Sequence, residues 1–468
     1  MAFRFLSAAT AALLGAASAP AIAQSSDEAA FRETYKELIE TNTTLSSGSC
    51  TLAAERMAAR LKAGGFLDED IHIITAPDHP KEGNLVAIFP GANPKAKPML
   101  LLAHIDVVEA KREDWERDPF TLIEEGGYFY ARGASDDKAQ AAVWVDMLLR
   151  FKREGYKPKR TIKMALTCGE ETAGAFNGAD YLVKNQRPLI DAEFALNEGA
   201  GGLLDEQGKP VVLNIQAGEK FPQNYRIEVT NPGGHSARPV RENAIYRLAD
   251  ALVKIRAYDF PLQSNDATRG YFREMAKLTP GEAGPAMAAF AVNPTDATAA
   301  ATIAKANPGW NAILHTTCVA TLLDGGHATN ALPQRAGANI NCRIFPGTSV
   351  EDVRQAIETI VADPQVKVTM LDARSDIAPP PPLTEMVMGP ARKIAAEVFP
   401  GVPFVPVMAA GGTDGAFLTP AGIPTYGITG FFSDAEGSHA HGLNERIRVK
   451  SLMDGRTFLY KLVKAYAK

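Results

Sequence analysis

The chain has 468 residues, of which 46% are hydrophobic and 22% charged, and a formal net charge of −5. That length allows two domains with separate cores, and the mildly acidic composition has no basic patch or polybasic run suited to nucleic acid or anionic lipid. Four cysteines, Cys50, Cys168, Cys318 and Cys342, are too few and too far apart for a disulfide scaffold or a thiolate zinc site. One bridge, Cys318 to Cys342 on two strand-like runs flanking a turn, is conceivable in an oxidising compartment.

Residues 1–23 run from Arg4 through a short apolar core to Ala21-Ile22-Ala23, the small-residue pattern that a signal peptidase cuts. The apolar run is broken by Ser and Pro and is too short to span a bilayer. The expectation is an exported protein beginning at Gln24, periplasmic or secreted from a bacterium, with no membrane-spanning segment.

Residues 24–218 alternate helical segments with short aliphatic runs, among them Leu85 to Phe89, Met99 to Ala103, Thr161 to Thr167 and Phe194 to Asn197. This pattern predicts an α/β domain, a mixed and largely parallel sheet with helices on both faces. Residues 219–372 follow a β-α-β-β-α-β order, which predicts an inserted α+β unit of ferredoxin-like type. An Ala-rich, proline-interrupted stretch at about 258–308 is expected to be a helical decoration of that unit. The proline run 378–382 reads as a stiff linker back into the first domain, whose second part is 373–468.

Five short stretches carry metal-type ligands: LLAHIDVV with His104 and Asp106, RGASDDK with Asp136, TCGEETAG with Glu170 and Glu171, LNEGAGG with Glu198, and SHAHGLNER with His441. Several fall where aliphatic strands end, which is where open α/β sheets build their sites. Alone, each is a polar turn or, for Asp136, a helix N-cap, a job Asp137 would do equally well. Together they offer two imidazoles and three carboxylates for a pair of metal ions, with room for a bridging water whose pKa the ions would lower. Asp106 stands two residues from His104, close enough to accept a ring N–H and fix its tautomer. Of the adjacent Glu170 and Glu171, one can bind metal while its neighbour faces the water.

These motifs, in this order and spacing, resemble the di-zinc exopeptidase family that includes aminoacylase, glutamate carboxypeptidase, carnosinase and succinyl-diaminopimelate desuccinylase. The resemblance implies a zinc-peptidase catalytic domain with an inserted lid. It assigns His104, Asp136, Glu171, Glu198 and His441 as ligands of two Zn ions, with Asp136 bridging, although the same donor set accepts Co or Mn. It makes Asp106 the residue orienting His104 and Glu170 the general base. By the same likeness His235, in NPGGHSARP, stabilises the oxyanion, in relatives often from the other subunit of a dimer formed through the lid. Asn330 and Arg343, with Gly412 and Thr413 of the glycine-rich GGTDG turn, hold the substrate carboxylate. The implied activity is that of a carboxypeptidase or dipeptidase. The same machinery would serve an N-acyl-amino-acid amidohydrolase, and a non-catalytic metal-binding protein on the same scaffold is the third alternative.

Overall fold

The computed structural model describes residues 18–172, 175–371 and 377–468. Most of the expected leader, residues 1–17, lies outside this range, as does the expected domain boundary at 372–373. Among the described residues no helix is long and apolar enough to cross a membrane.

A ten-stranded mixed sheet forms the main body. Its order is Ile71–Ala76, His79–Phe89, Ile162–Thr167, Met99–His104, Phe194–Asn197, Thr425–Gly427, Pro210–Glu219, Gly202–Leu204 and Phe432–Ser433, with Phe404–Ala409 also paired to Pro210–Glu219. The strands Met99–His104 and Ile162–Thr167 read MLLLAH and IKMALT and are buried along their whole length. Such runs belong in the middle of a sheet covered on both faces. Helix Lys138–Arg153 covers one face, and within it Trp144 donates its indole N–H to the Leu102 carbonyl at 3.0 Å.

The central strands are parallel, and their register decides where the ligands go. His104 pairs with Thr167, and Leu101 with Leu196, so these strands end together at one edge of the sheet. The residues that follow each end, 105–106, 168–171 and 198, therefore emerge side by side.

A second sheet has the order Thr317–Gly325, Arg335–Ile344, Phe221–Thr230 and Val366–Leu371, antiparallel throughout. Helices Ala244–Arg256 and Val350–Val361 pack against it around a core of their own. With strand Phe221–Thr230 first in sequence and Val366–Leu371 last, this is the ferredoxin-like β-α-β-β-α-β pattern.

Two sequence expectations need correction here. The Ala-rich insertion, helices Asp266–Met275, Ala283–Val292, Ala297–Ala306 and Pro308–Ala312, does not decorate the second sheet. Phe272, Met287, Phe290 and Ile303 are completely buried in the core of the main body, and helix Asp266–Met275 packs on strand Phe404–Ala409. At about 1.5–3 kcal/mol per buried side chain, these contacts favour docking on the body over a free appendage. The cysteines also pair more fully than expected. Cys318 and Cys342, directly opposed on neighbouring strands, are bridged, but so are Cys50 and Cys168, which lie 118 residues apart.

Candidate active site

His104, the last residue of its strand, is 1% exposed, and its Nε2 lies 3.1 Å from Asp136 Oδ1 and 3.9 Å from Glu198 Oε1. The other carboxylate oxygen of Asp136 lies 3.2 Å from His441 Nε2, which in turn is 2.8 Å from Glu171 Oε2. Asp136 thus turns one oxygen to each histidine. Linked through the two histidines, these contacts make two sets, His104/Asp136/Glu198 and His441/Asp136/Glu171, with Asp136 common to both, and Glu171 also lies with His104 and Asp136 in a group whose ligand atoms are all within 4.8 Å of one another. Glu170 sits against the first set: its carboxylate, His104 and Glu198 offer ligand atoms all within 4.8 Å of one another.

The loops carrying these groups are held by buried polar partners. Asp106 meets the His104 ring with both its main-chain carbonyl and its carboxylate, and the carboxylate also serves a neighbouring turn. The His104 Nδ1 contact within hydrogen-bond range is the main-chain carbonyl of Asp106 at 3.1 Å, whereas the carboxylate is 3.6 Å away. That carboxylate also accepts the amides of Glu170 at 3.3 Å and Glu171 at 3.0 Å, fixing the turn that presents both glutamates. The turn begins at Gly169, whose φ of +95° and 2.0 Å clearance between an added Cβ and the Phe176 carbonyl oxygen leave room for no side chain. His441 also has a left-handed backbone, with φ of 61°. For a residue other than glycine this is a strained conformation of the kind that concentrates at functional sites.

Electrostatics test whether these groups suit metal ions. Burial is the largest influence pushing Glu170 up to about 8 and Glu171 up to about 7; Asp106 and other acidic neighbours add to it, and His104 opposes it. Glu198 is driven well above the carboxylate range, also by burial first. The hydrogen bond to Asp136 leads the causes raising His441 to about 9. The protein's own charges therefore leave this acidic cluster under-neutralised, and a pair of dications would supply the missing positive charge. Imidazole and carboxylate donors also suit Zn, Co or Mn. The residues fit such a pair.

The profile of peptidase family M20/M25/M40 matches residues 100–465. The chain belongs to this family. It is 30% identical to the human protein named N-fatty-acyl-amino acid synthase/hydrolase PM20D1, over 80% of this chain and 75% of the relative. In three dimensions it is similar to the M20 family metallo-carboxypeptidase Sso-CP2 of Sulfolobus solfataricus, with a TM-score of 0.70, 19% identity, and coverage of 93% of this chain and 99% of the other. It is also similar to the YXEP protein of Bacillus subtilis, a dinuclear metal binding peptidase of the M20 family, with a TM-score of 0.61, 13% identity, and coverage of 95% and 99%. M20 membership makes the chain a metallopeptidase or amidohydrolase.

The remaining site candidates of this M20 chain sit on other elements. His235 is exposed on a two-stranded ribbon of Gly234–His235 with Ala331–Leu332, and its Nδ1 accepts the Ala237 amide at 3.0 Å. Asn330 is exposed beside it, its carbonyl accepting the Ser236 amide at 3.0 Å. Arg343 is half-buried on strand Arg335–Ile344, close enough to Lys220 for its charge to disfavour the ammonium. Thr413 approaches the cluster most closely: its hydroxyl donates to Glu219 Oε2 at 2.8 Å and accepts from Asn197, the neighbour of Glu198, at 3.1 Å. Gly412 lies over the Lys220 carbonyl and Pro222.

Sequence reasoning missed Glu445. It is fully buried, accepts the amides of Gly133, Ser135 and Asp136 at 2.7–3.0 Å, and pairs with Arg132 at 2.8 Å. It therefore fixes the loop that aims Asp136. The signal was its place in HGLNER, four residues after His441. Asp414 was missed in the same way: it is buried and accepts Thr167 Oγ1 at 2.6 Å and Asn177 Nδ2 at 2.7 Å beneath the Glu170 turn.

Proposed function

We propose that this chain hydrolyses the amide bond that joins an acyl group to an amino acid with a free carboxylate, the bond cut by a carboxypeptidase or dipeptidase. The observation that carries this reading is the shared carboxylate: Asp136 faces His104 with one oxygen and His441 with the other, at 3.1 and 3.2 Å. Two divalent cations, Zn by preference and Co or Mn as substitutes, would be held there and would supply Lewis acidity and charge neutralisation. Glu170 takes a proton from the attacking water and delivers it to the leaving amine nitrogen. His235 stabilises the oxyanion, and Asn330, Arg343, Gly412 and Thr413 receive the substrate carboxylate.

A second reading of the acyl side is supported by the 30% identity to a protein named for N-fatty-acyl-amino acids: the acyl group is that of an N-acyl amino acid rather than a peptide. A panel of dipeptides, longer peptides and N-acyl amino acids, assayed with the metal content of the same sample, tests both. Hydrolysis confined to one class selects between them. Absence of hydrolysis across the panel by metal-loaded protein would sink the proposal.

The chain is proposed to work outside the cytoplasm as a homodimer. Export is supported by the leader-like residues 1–23 and by the pairing of all four cysteines, which an oxidising compartment favours. Dimerisation through the second sheet is supported by its edge strand Thr317–Gly325, where Val319, Leu322 and Leu323 are 59%, 69% and 70% exposed. An apolar edge with unpaired backbone groups is completed best by the same strand of a second copy. Such pairing would also bring the exposed His235 ribbon toward a neighbouring site.

A further inference from the structure

The Cys50–Cys168 bridge touches none of the reacting groups, yet it ends beside them. Cys168 directly follows the buried strand Ile162–Thr167, and only Gly169 separates it from Glu170. Cys50 opens helix Cys50–Ala63, which is capped by Ser49. The segment before that helix is fastened to the end of the His104 strand. Lys138 Nζ donates to the Thr41 carbonyl at 2.8 Å, Thr43 Oγ1 donates to the Ile105 carbonyl at 2.6 Å, and both the amide and the hydroxyl of Ser46 donate to Glu109.

Segment 41–50 thus grips the His104–Asp106 side by hydrogen bonds and the Glu170–Glu171 side by a covalent link. Between the two lies a cavity lined by Thr44, Ser49, Cys50, Asp106, Gly169 and Thr172. Where packing is incomplete, a covalent tie contributes most to keeping the turn in register with Asp136 and His441.

We infer that Cys50 and Cys168 are positioning residues for the Glu170–Glu171 turn, and that opening their bridge switches hydrolysis down without dismantling the fold. This rests on the proposed role of Glu170. Both cysteines are buried, at 2% and 3% exposure, so opening proceeds when a local fluctuation admits a dithiol beside the cavity: its thiolate attacks one sulfur, the resulting mixed disulfide is resolved by the second thiol, and Cys50 and Cys168 are released as thiols while the reagent leaves oxidised, supplying the two electrons. A displacement of about 1 Å at a reacting group is enough to lower a rate by about 10²-fold.

The test compares metal-loaded wild type, the pair Cys50→Ser with Cys168→Ser, and the control pair Cys318→Ser with Cys342→Ser, each assayed for metal content, KM and kcat. Folded wild type treated with a dithiol and then reoxidised, followed by circular dichroism, covers the case in which the first pair does not fold. The expected result is a fall in kcat of about tenfold or more, with KM within about threefold and metal retained, restored by reoxidation and absent from the control pair. Unchanged kcat after opening, or a loss that tracks unfolding or loss of metal, overturns the inference. Hydrolysis by oxidised wild type is read separately, so failure of the proposed reaction is not confused with failure of the bridge.

Discussion

At the edge of the main sheet His104 and Glu171 are sunk into the protein, at 1% and 4% exposure, while His441 opposite them is 58% exposed, and the Asp136 loop and the Glu170–Glu171 turn are each tied down by a buried carboxylate. On the two-stranded ribbon of the second unit His235 and Asn330 stand in solvent, held by short-range contacts within that ribbon. The difference teaches that the two units contribute different kinds of chemistry. On the proposed reading, metal affinity and proton transfer would depend on groups preorganised at one sheet edge, whereas groups on the second unit would act on a substrate only when brought to that edge.

The strongest way to break this contrast is Asp136→Asn. Removing the charge common to both donor sets is expected to weaken both metal positions at once and to lower activity by at least about 10³-fold, beyond the 10–100-fold typical of an outer-shell partner. Metal analysis after dialysis, read alongside kcat, checks it. Glu170→Gln should cut kcat by about 10²–10⁴-fold while both metals stay bound. Equal loss of metal would make Glu170 a ligand rather than a base.

His235→Ala sharpens the contrast from the other side. A drop in kcat of about 10²-fold or more is expected, with metal content and melting temperature unchanged because the side chain is exposed. Mixing this variant with Glu170→Gln should restore part of the activity if His235 serves a neighbouring copy.

The smallest effect concerns Glu219, next to the crossing between the two units. Burial pushes its carboxyl up to about 8. The folded state therefore binds the proton more tightly than the unfolded chain, so this contribution to stability is present below the unfolded value near 4.5 and is lost as pH rises through 8. Glu219→Gln is expected to flatten that decline by up to about 1.4 kcal/mol per pH unit, measured by denaturant unfolding between pH 5 and 8. An unchanged slope would mean that Glu219 is ionised in the folded protein.

The clustering of the candidate ligands was legible because aliphatic runs such as MLLLA and FALN end directly in His104 and at Glu198, and parallel register then brings strand ends together. The second sheet was legible from its order of elements. Less legible were contacts set by register in three dimensions. Nothing local to Asp106 says that its carboxylate serves the amides of residues 170 and 171 more directly than the ring of His104. The Cys50–Cys168 pair spans 118 residues, with no turn to suggest it. In the Ala-rich insertion, Phe272, Met287, Phe290 and Ile303 mark an apolar face, but a face does not name what it packs against.

The central claim is a pair of cations sharing Asp136. Anomalous scattering from crystals of metal-loaded protein tests it most directly. The expected result is two peaks about 3.5–4 Å apart, one between His104, Asp136 and Glu198 and the other between His441, Asp136 and Glu171. A single peak, or two that do not flank the Asp136 carboxylate, would contradict it.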